Sequence, residues 1–468
     1  MSNAQPRANA AAPLGPERSR RLQRRLRSAD FATVLCWLSV SLSLALYLAY
    51  GGLSQIPDAG SALNAAGVMA GLAGTDLILV MLILAARIPA LDRAIGQDAA
   101  IALHRRLGKP TLYLILLHAG LLTAGYAIGE GSNVVSETLI LFQTPDMAIA
   151  YLGLGLLIAV VVSSLLAVRR RFPYEAWHGI HLVSYVAVLV ALPHQLSVGG
   201  VLAQGTWQRL YWLALYGLAF GSIFWFRFAT PAWRSWRHGI RVERVEQIAP
   251  GVVSIHLAGT DLDRLGTAGG QYAIWRFWTG RTWWHAHPIS FSAVPTRTAA
   301  RITVRDLGRG SRSISRVRTG TRVSVEGPYG LFTTAARTAP YLAVVAAGIG
   351  VTPIRALLED SRLGPGEATV LLRGTDKSQN YLWGEVAALT QSVRCAAYSM
   401  VGPRPAGAAT WLSAEAMAHG VTLSSAFPRL ADSDLYVCGP QSWADLVVRD
   451  AREAGLPAHR IHYERFDW

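Results

Sequence analysis

Six stretches of this chain are long and apolar enough to cross a lipid bilayer, at about residues 31–52, 64–86, 101–127, 148–168, 177–200 and 207–226. A span needs about 20 predominantly apolar residues, because roughly 30 Å of hydrocarbon must be crossed at about 1.5 Å per helical residue. Ala148 to Val168 is the clearest case, with 21 residues and no charge. Composition agrees with a membrane part: 51% of residues are hydrophobic and 16% charged, with a mean hydropathy of +0.28, too apolar for an ordinary soluble enzyme.

The formal charge of +15 comes almost wholly from Arg, since Lys occurs only at 109 and 377. In a soluble protein such a balance would suggest a nucleic acid partner. Here the Arg residues flank apolar segments, as cytoplasmic loops require, and no nucleic acid is expected. Arg87, Arg93, Arg105, Arg106 and Lys109 lie between the second and third segments or early in the third, and Arg169, Arg170 and Arg171 follow the fourth. Glu130, Glu137 and Asp146 occupy the loop between the third and fourth. The positive-inside rule then puts both termini in the cytoplasm of an integral protein, expected in the bacterial inner (plasma) membrane with lipid as its surroundings. Residues 1–29, with seven Arg in the first 27, read as a disordered basic cytoplasmic arm. Cys36, Cys395 and Cys438 are too few and too scattered for a disulfide framework or an iron–sulfur cluster, so any electron relay uses another cofactor.

Residues 30–230 therefore form a six-helix transmembrane domain. From about Arg234 the texture changes to short alternating runs, among them Val252 to Leu257 and Tyr272 to Phe277, separated by Gly and Pro, which predict a small antiparallel β-barrel over 236–336. Apolar strands such as Tyr341 to Ala346 and Leu435 to Cys438 then alternate with helical stretches, an α/β nucleotide-binding pattern over 337–468.

Titratable side chains inside a membrane are functional hypotheses by default. His104 and His118 are fourteen residues apart in the third segment. Fourteen steps of about 100° return to within about 40° of the starting face and rise about 21 Å, so both point the same way near opposite leaflets. The fifth segment holds His181 at the depth of His104 and His194 at that of His118, with His178 as an alternative to His181. Two facing pairs are what bis-imidazole ligation of two b-type haems needs; the alternative is hydrogen bonding between helices. His181 to His194 is thirteen steps, about 220° on an ideal helix, so the fifth helix must be distorted, and Pro193 supplies a cause. Arg105 and Arg106 suit haem propionates or interface anchoring equally. Asp76, mid-way along the second segment, is either a proton-path residue or capped by a hydroxyl such as that of Thr75.

In the second half, "GGQY" (Gly269 to Tyr272) and "HAHPISFS" (His285 to Ser292) precede "VRDLGRGS" (Val304 to Ser311) and "EGPYG" (Glu326 to Gly330). "AAGIGVTP" (Ala346 to Pro353) follows an apolar strand and opens a helix, where glycines allow close approach to a phosphate. "CGP" (Cys438 to Pro440) ends a later strand, and "ERFDW" (Glu464 to Trp468) closes the chain. In this order, behind the His pairs, the motifs resemble a flavoprotein of the ferredoxin–NADP reductase superfamily fused to a six-helix di-haem bundle, as in the NADPH oxidase and ferric reductase family. The resemblance covers about residues 30–468.

It implies that His287, Pro288 and Ser290 line an FAD, with Ile289 in place of the usual aromatic. Arg305 would neutralise the pyrophosphate and Gly310 and Ser311 present amides to it. Gly348, Gly350, Thr352 and Pro353 would form the NAD(P) loop, and Arg373, ending the next strand, would hold a 2'-phosphate and favour NADPH over NADH. Cys438 and Gly439 would lie beside the nicotinamide, with Ser290 and Glu464 around the transfer site and Phe466 or Trp468 covering the flavin face. The implied protein takes hydride from NADPH onto FAD and passes electrons through two haems to oxygen, giving superoxide. A ferric or cupric metalloreductase acting on metal chelates, and a haem-binding electron-transfer subunit serving a partner protein, are the other readings.

Overall fold

The structure is a computed structural model and describes residues 16–464 other than 53, 55, 169–173, 199, 281 and 282. Two compact units share the chain, one of Ser28–Phe228 and one of Met1–Arg27 with Ala229–Trp468.

Helix α1 (Pro16–Ala49) runs into the membrane unit from Ser28 onward, and that unit also contains α2 (Ala59–Ala85), α3 (Pro89–Ile95), α4 (Gln97–Gly129), α5 (Val134–Gln143), α6 (Met147–Val168), α7 (Tyr174–Val190), α8 (Leu192–Ser197) and α9 (Trp207–Ile223). Among the described residues six helical spans, α7 and α8 together making one, are long and apolar enough to cross a membrane, matching the six stretches read from hydropathy. Residues 16–29 differ from expectation: they continue α1 rather than forming a disordered arm. Their Leu, Gln and Arg are good helix formers, and an existing helix lengthens at low cost once nucleated. α2 is the hub, with Leu79, Leu82 and Met81 buried against Trp212 and Tyr216 of α9. Asp76 is 1% exposed, and the hydroxyls that bond its Oδ2 belong to Ser39 (2.9 Å) and Ser43 (2.6 Å) of α1, rather than to Thr75.

The fifth segment is broken as its histidine spacing requires. α7 ends at Val190, and α8 restarts with Pro193 in its first turn, where the missing N–H has no acceptor to lose.

The second unit opens with α10 (Thr230–His238), followed by strands β1 (Arg241–Ala249), β2 (Val252–Ala258), β3 (Tyr272–Phe277), β4 (His287–Ala293) and β5 (Ala299–Arg305), the short α11 (Arg309–Ile314) and β6 (Val323–Tyr329). These six strands form one sheet in the order β1-β2-β5-β4-β3-β6, with neighbouring strands antiparallel. Its two edges meet at Arg241 and Arg322, and Val323 N–H donates to Ile240 O at 2.9 Å, so the sheet curls back on itself around Trp275, Phe277, Phe291 and Ile302.

Strands β7 (Tyr341–Ala347), β8 (Ala368–Gly374), β9 (Ala396–Val401), β10 (Ser433–Cys438) and β11 (Ile461–Glu464) form a parallel sheet in the order β11-β10-β7-β8-β9. Helices α12 (Val351–Asp360) and α13 (Trp383–Ser392) pack beside it. Strand order reverses between β7 and β10, which places a crevice beyond their carboxyl ends. The two sheets are tied together: Arg301 of β5 makes a bidentate pair with Glu385 of α13 (2.9 and 2.7 Å), and Val294 N–H donates to Glu359 of α12 at 2.6 Å. A Cβ on Gly269 would lie 2.1 Å from Ala356 O, so the first glycine of "GGQY" serves this contact.

Candidate active site

The switch-point crevice gathers most of the motif residues of the second unit. Gly348 and Gly350 turn the chain from β7 into α12, and a Cβ on Gly350 would lie 2.3 Å from Cys438 O, so only glycine lets the two loops meet there. Cys438 ends β10 in register with Glu464 of β11. Glu464 Oε1 lies 3.8 Å from where a Cβ on Gly330 would stand, and Tyr272 packs against the same glycine and pairs across the ladder with Ser290. Arg305 Nη1 is 3.8 Å from a Cβ placed on Gly348, and a Cβ on Gly310 would lie 3.4 Å from His287. Ser290, Cys438, Glu464, the glycine loop, Arg305 and His287 thus form one continuous surface from the barrel to the parallel sheet.

Chemistry follows from burial. His287 is pushed down to about 4, first by burial and then by His285 and Arg276, so it is neutral near pH 7. Burial, with the charge of Glu464 behind it, holds the Cys438 thiol well above its ordinary value, so it is an uncharged thiol. Arg373 is 5% exposed at the end of β8, with burial and then the charge of Arg404 depressing its guanidinium. Ser290 Oγ, Thr352 Oγ1 and Arg373 Nε are buried without a hydrogen-bond partner among the described residues. Such atoms are rare unless a ligand completes them, and a hydroxylated, phosphorylated cofactor has the acceptors to do so. Pro288 lies on β4 opposite Ile274, and Pro353 and Thr352 are buried in the first turn of α12. Gly310 lies in the six-residue α11, and Ser311 turns its hydroxyl inward to take the Leu307 and Gly308 amides (2.8 and 3.1 Å). Gly439 packs on Trp443. Phe466 and Trp468 lie outside the described residues.

In the membrane unit, His104 Nδ1 lies 3.1 Å from Met81 O and His118 Nδ1 2.8 Å from Gly67 O. A carbonyl only accepts, so each Nδ1 carries the proton and each Nε2 is left as a bare donor nitrogen for a metal. His181 faces His104 with ring centres 5.9 Å apart, close to the sum of two metal–imidazole bonds of about 2 Å and the half-widths of the rings. His194 lies close enough to His118 to interact electrostatically. These residues fit a haem held by two imidazoles at each depth.

Several contributors carried no sequence signal of their own. Arg404 follows β9 within "GPRPAG", and only the sheet order brings it to Arg373. Trp177 packs at a tilt against His181, ring centres 5.3 Å apart, and donates from Nε1 to Ser164 Oγ at 3.1 Å. Gly71 seats the His118 ring, which a Cβ would meet at 2.4 Å. A helical period would have placed Gly67 and Gly71 on one face of α2, but not against a particular histidine.

Fold and site define an integral membrane oxidoreductase with two halves: a helical bundle bearing paired histidines, and a barrel joined to a parallel α/β sheet. Residues 70–192 match the family described as the ferric reductase like transmembrane component. The ferredoxin–NAD(+) reductase component of an alkene monooxygenase system from Xanthobacter autotrophicus is 29% identical over 152 residues, 31% of this chain and 45% of that protein. Ferredoxin–NADP reductase B of Sorangium cellulosum is 29% identical over 167 residues, covering 34% and 68%. The tetrachlorobenzoquinone reductase of Sphingobium chlorophenolicum is 34% identical over 175 residues, covering 35% and 48%. The chain thus spans about half the length of the first and third of these relatives. The flavohem-like FAD/NAD binding domain of a Vibrio cholerae nitric oxide dioxygenase is 22% identical, with a TM-score of 0.41 over 48% of this chain and 98% of that one. Residues 70–192 are thus similar to a ferric reductase-like transmembrane component and the second half to ferredoxin–NADP reductases, a combination consistent with a ferric reductase-like, NADPH oxidase-type make-up.

Proposed function

We propose that this protein is a transmembrane NADPH oxidase, with net reaction NADPH + 2 O2 → NADP+ + H+ + 2 superoxide. Bound FAD and two b-type haems would convert a two-electron donor into single electrons and carry them through a layer too thick for one transfer. The observation that carries the reading is the pairing of histidines at two depths of the bundle, His104 with His181 and His118 with His194, in one chain with a reductase-type crevice. The chain's own residues bind and orient. Arg373 and Arg404 present positive charge to a 2'-phosphate, the Gly348–Gly350 loop admits the nucleotide backbone, and Ser290, Cys438 and Glu464 surround the place where nicotinamide and flavin meet. The uncharged Cys438 thiol and neutral His287 add no charge beside a hydride in transit. By the family resemblance, a terminal aromatic, Phe466 or Trp468, would cover the flavin. The Arg-rich loops put the termini and the nucleotide site in the cytoplasm.

The ferric reductase match favours one other reading, a metalloreductase passing the same electrons to ferric or cupric chelates. Vesicles holding the full chain, given NADPH, decide between them. Superoxide dismutase-sensitive reduction of an acceptor supports the oxidase, reduction of a ferric chelate unaffected by the dismutase supports the metalloreductase, and no NADPH turnover without an added partner protein refutes both.

A further inference from the structure

The four histidines are not held alike. His104 and His118 are each fixed by an Nδ1 hydrogen bond to a backbone carbonyl of α2, whereas among the described residues the Nδ1 atoms of His181 and His194 are held by no other helix, the His194 ring hydrogen-bonding only with the backbone of Ala191 in its own segment. His181 has the tilted ring of Trp177 packed against it. His194 sits in α8, a helix of only six residues set off from α7 at Ala191 within the same membrane span. Its neighbour Gln195 is held by α9. Trp212 Nε1 donates to Gln195 Oε1 at 2.7 Å, and Gln195 Nε2 lies 3.1 Å from the Tyr216 hydroxyl, with Trp212 and Tyr216 2% and 4% exposed. One turn earlier, Arg209 Nη1 reaches the carbonyls of Leu196 and Leu202, both at 3.4 Å. Residues 209, 212 and 216 share one helical face, so a single stripe of α9 grips α8.

We propose that Gln195, clamped by Trp212 and Tyr216, is the positioning residue that sets the orientation of the His194 imidazole as a haem ligand, by fixing α8 against α9. The inference rests on the haem reading above. Loss of the clamp should alter the outer ligand pair and leave the inner pair, His104 with His181, unchanged.

The test uses the full chain in lipid nanodiscs, comparing wild type with Gln195→Leu, which keeps the volume and removes the side-chain hydrogen bonds to Trp212 and Tyr216, and Gln195→Glu, which can still accept from both. The readouts are haem per chain, the low-temperature electron paramagnetic resonance signal of each haem, and each midpoint potential. In Gln195→Leu one of two haem signals should shift or disappear with its potential while the other stays in place, and Gln195→Glu should restore the wild-type signal. Tyr216→Phe, which removes only one contact, should give a smaller change in the same signal, and it keeps the test open if Gln195→Leu does not assemble. Two unchanged signals and potentials in both Gln195→Leu and Tyr216→Phe, or equal changes in both haems, overturn the proposal. A wild type without haem would refute the functional reading instead, which separates the two failures.

Discussion

Replacing Gly71 by alanine should empty one of the two haem positions. The new Cβ would stand 2.4 Å from His118 Nδ1, 2.7 Å from Cε1 and 2.9 Å from Cγ, whereas ordinary contact begins at 3.4 Å. Three atoms of one ring clash at once, so rotation about χ2 does not relieve the overlap and the ring must retreat by about 1 Å. A shift of that size carries the 2.8 Å bond to Gly67 O beyond hydrogen-bonding range. The lost bond and local overpacking together are worth about 2–4 kcal/mol, and a metal–ligand distance tolerates only about 0.2 Å of error. Gly120→Ala, on the same helix as His118 with nothing within 4 Å of its added Cβ, is the control. The assay is pyridine haemochrome content per chain in purified protein. Two haems for Gly120→Ala and one for Gly71→Ala are expected. Two haems with an unaltered spectrum in Gly71→Ala would mean that His118 is not a ligand in this seat.

Arg373→Ala should raise the Michaelis constant for NADPH by roughly 10- to 150-fold, the range of a charge-assisted contact of about 1.5–3 kcal/mol, and barely affect NADH. Arg404→Ala should move NADPH in the same direction by less, and equal effects on both nucleotides would remove the pair from this role. His287 has a folded value of about 4 against 6.5, so as pH falls the unfolded chain takes up the proton first. Stability is complete above about pH 6.5 and declines down to about pH 4, by at most about 3 kcal/mol; thermal unfolding of the full chain in detergent should show that slope, and His287→Gln should flatten it. Removing Asp467 and Trp468 should leave turnover nearly unchanged, whereas Phe466→Ser should tighten NADP+ binding. The opposite pattern would make Trp468 the covering ring.

What the sequence made legible was whatever leaves a periodic or ordered trace. Six apolar runs, the fourteen-residue step from His104 to His118, and the order of glycine-bearing motifs all rest on side chains that declare themselves by type and spacing. Even the thirteen-residue misfit from His181 to His194 was informative, because a helix cannot absorb it without the break found before Pro193. The unread part depends on atoms with no sequence signature. Met81 and Gly67 act through backbone carbonyls, which every residue has. Arg404 and Arg373 meet because β8 and β9 are neighbours, and the Gln195 clamp needs the packing of two helices. Asp76 was legible as a buried acid but not its partners, since Ser39 and Ser43 lie more than thirty residues away on another helix.

The most direct measurement is an anaerobic titration of the purified full chain with NADPH, following flavin and haem absorbance together, with haem counted per chain. The account predicts two low-spin, bis-histidine haems per chain, both reduced by NADPH with no added protein, and reoxidised on admitting oxygen. A chain that binds flavin but contains no haem, or whose haems stay oxidised while NADPH reduces the flavin, would contradict it.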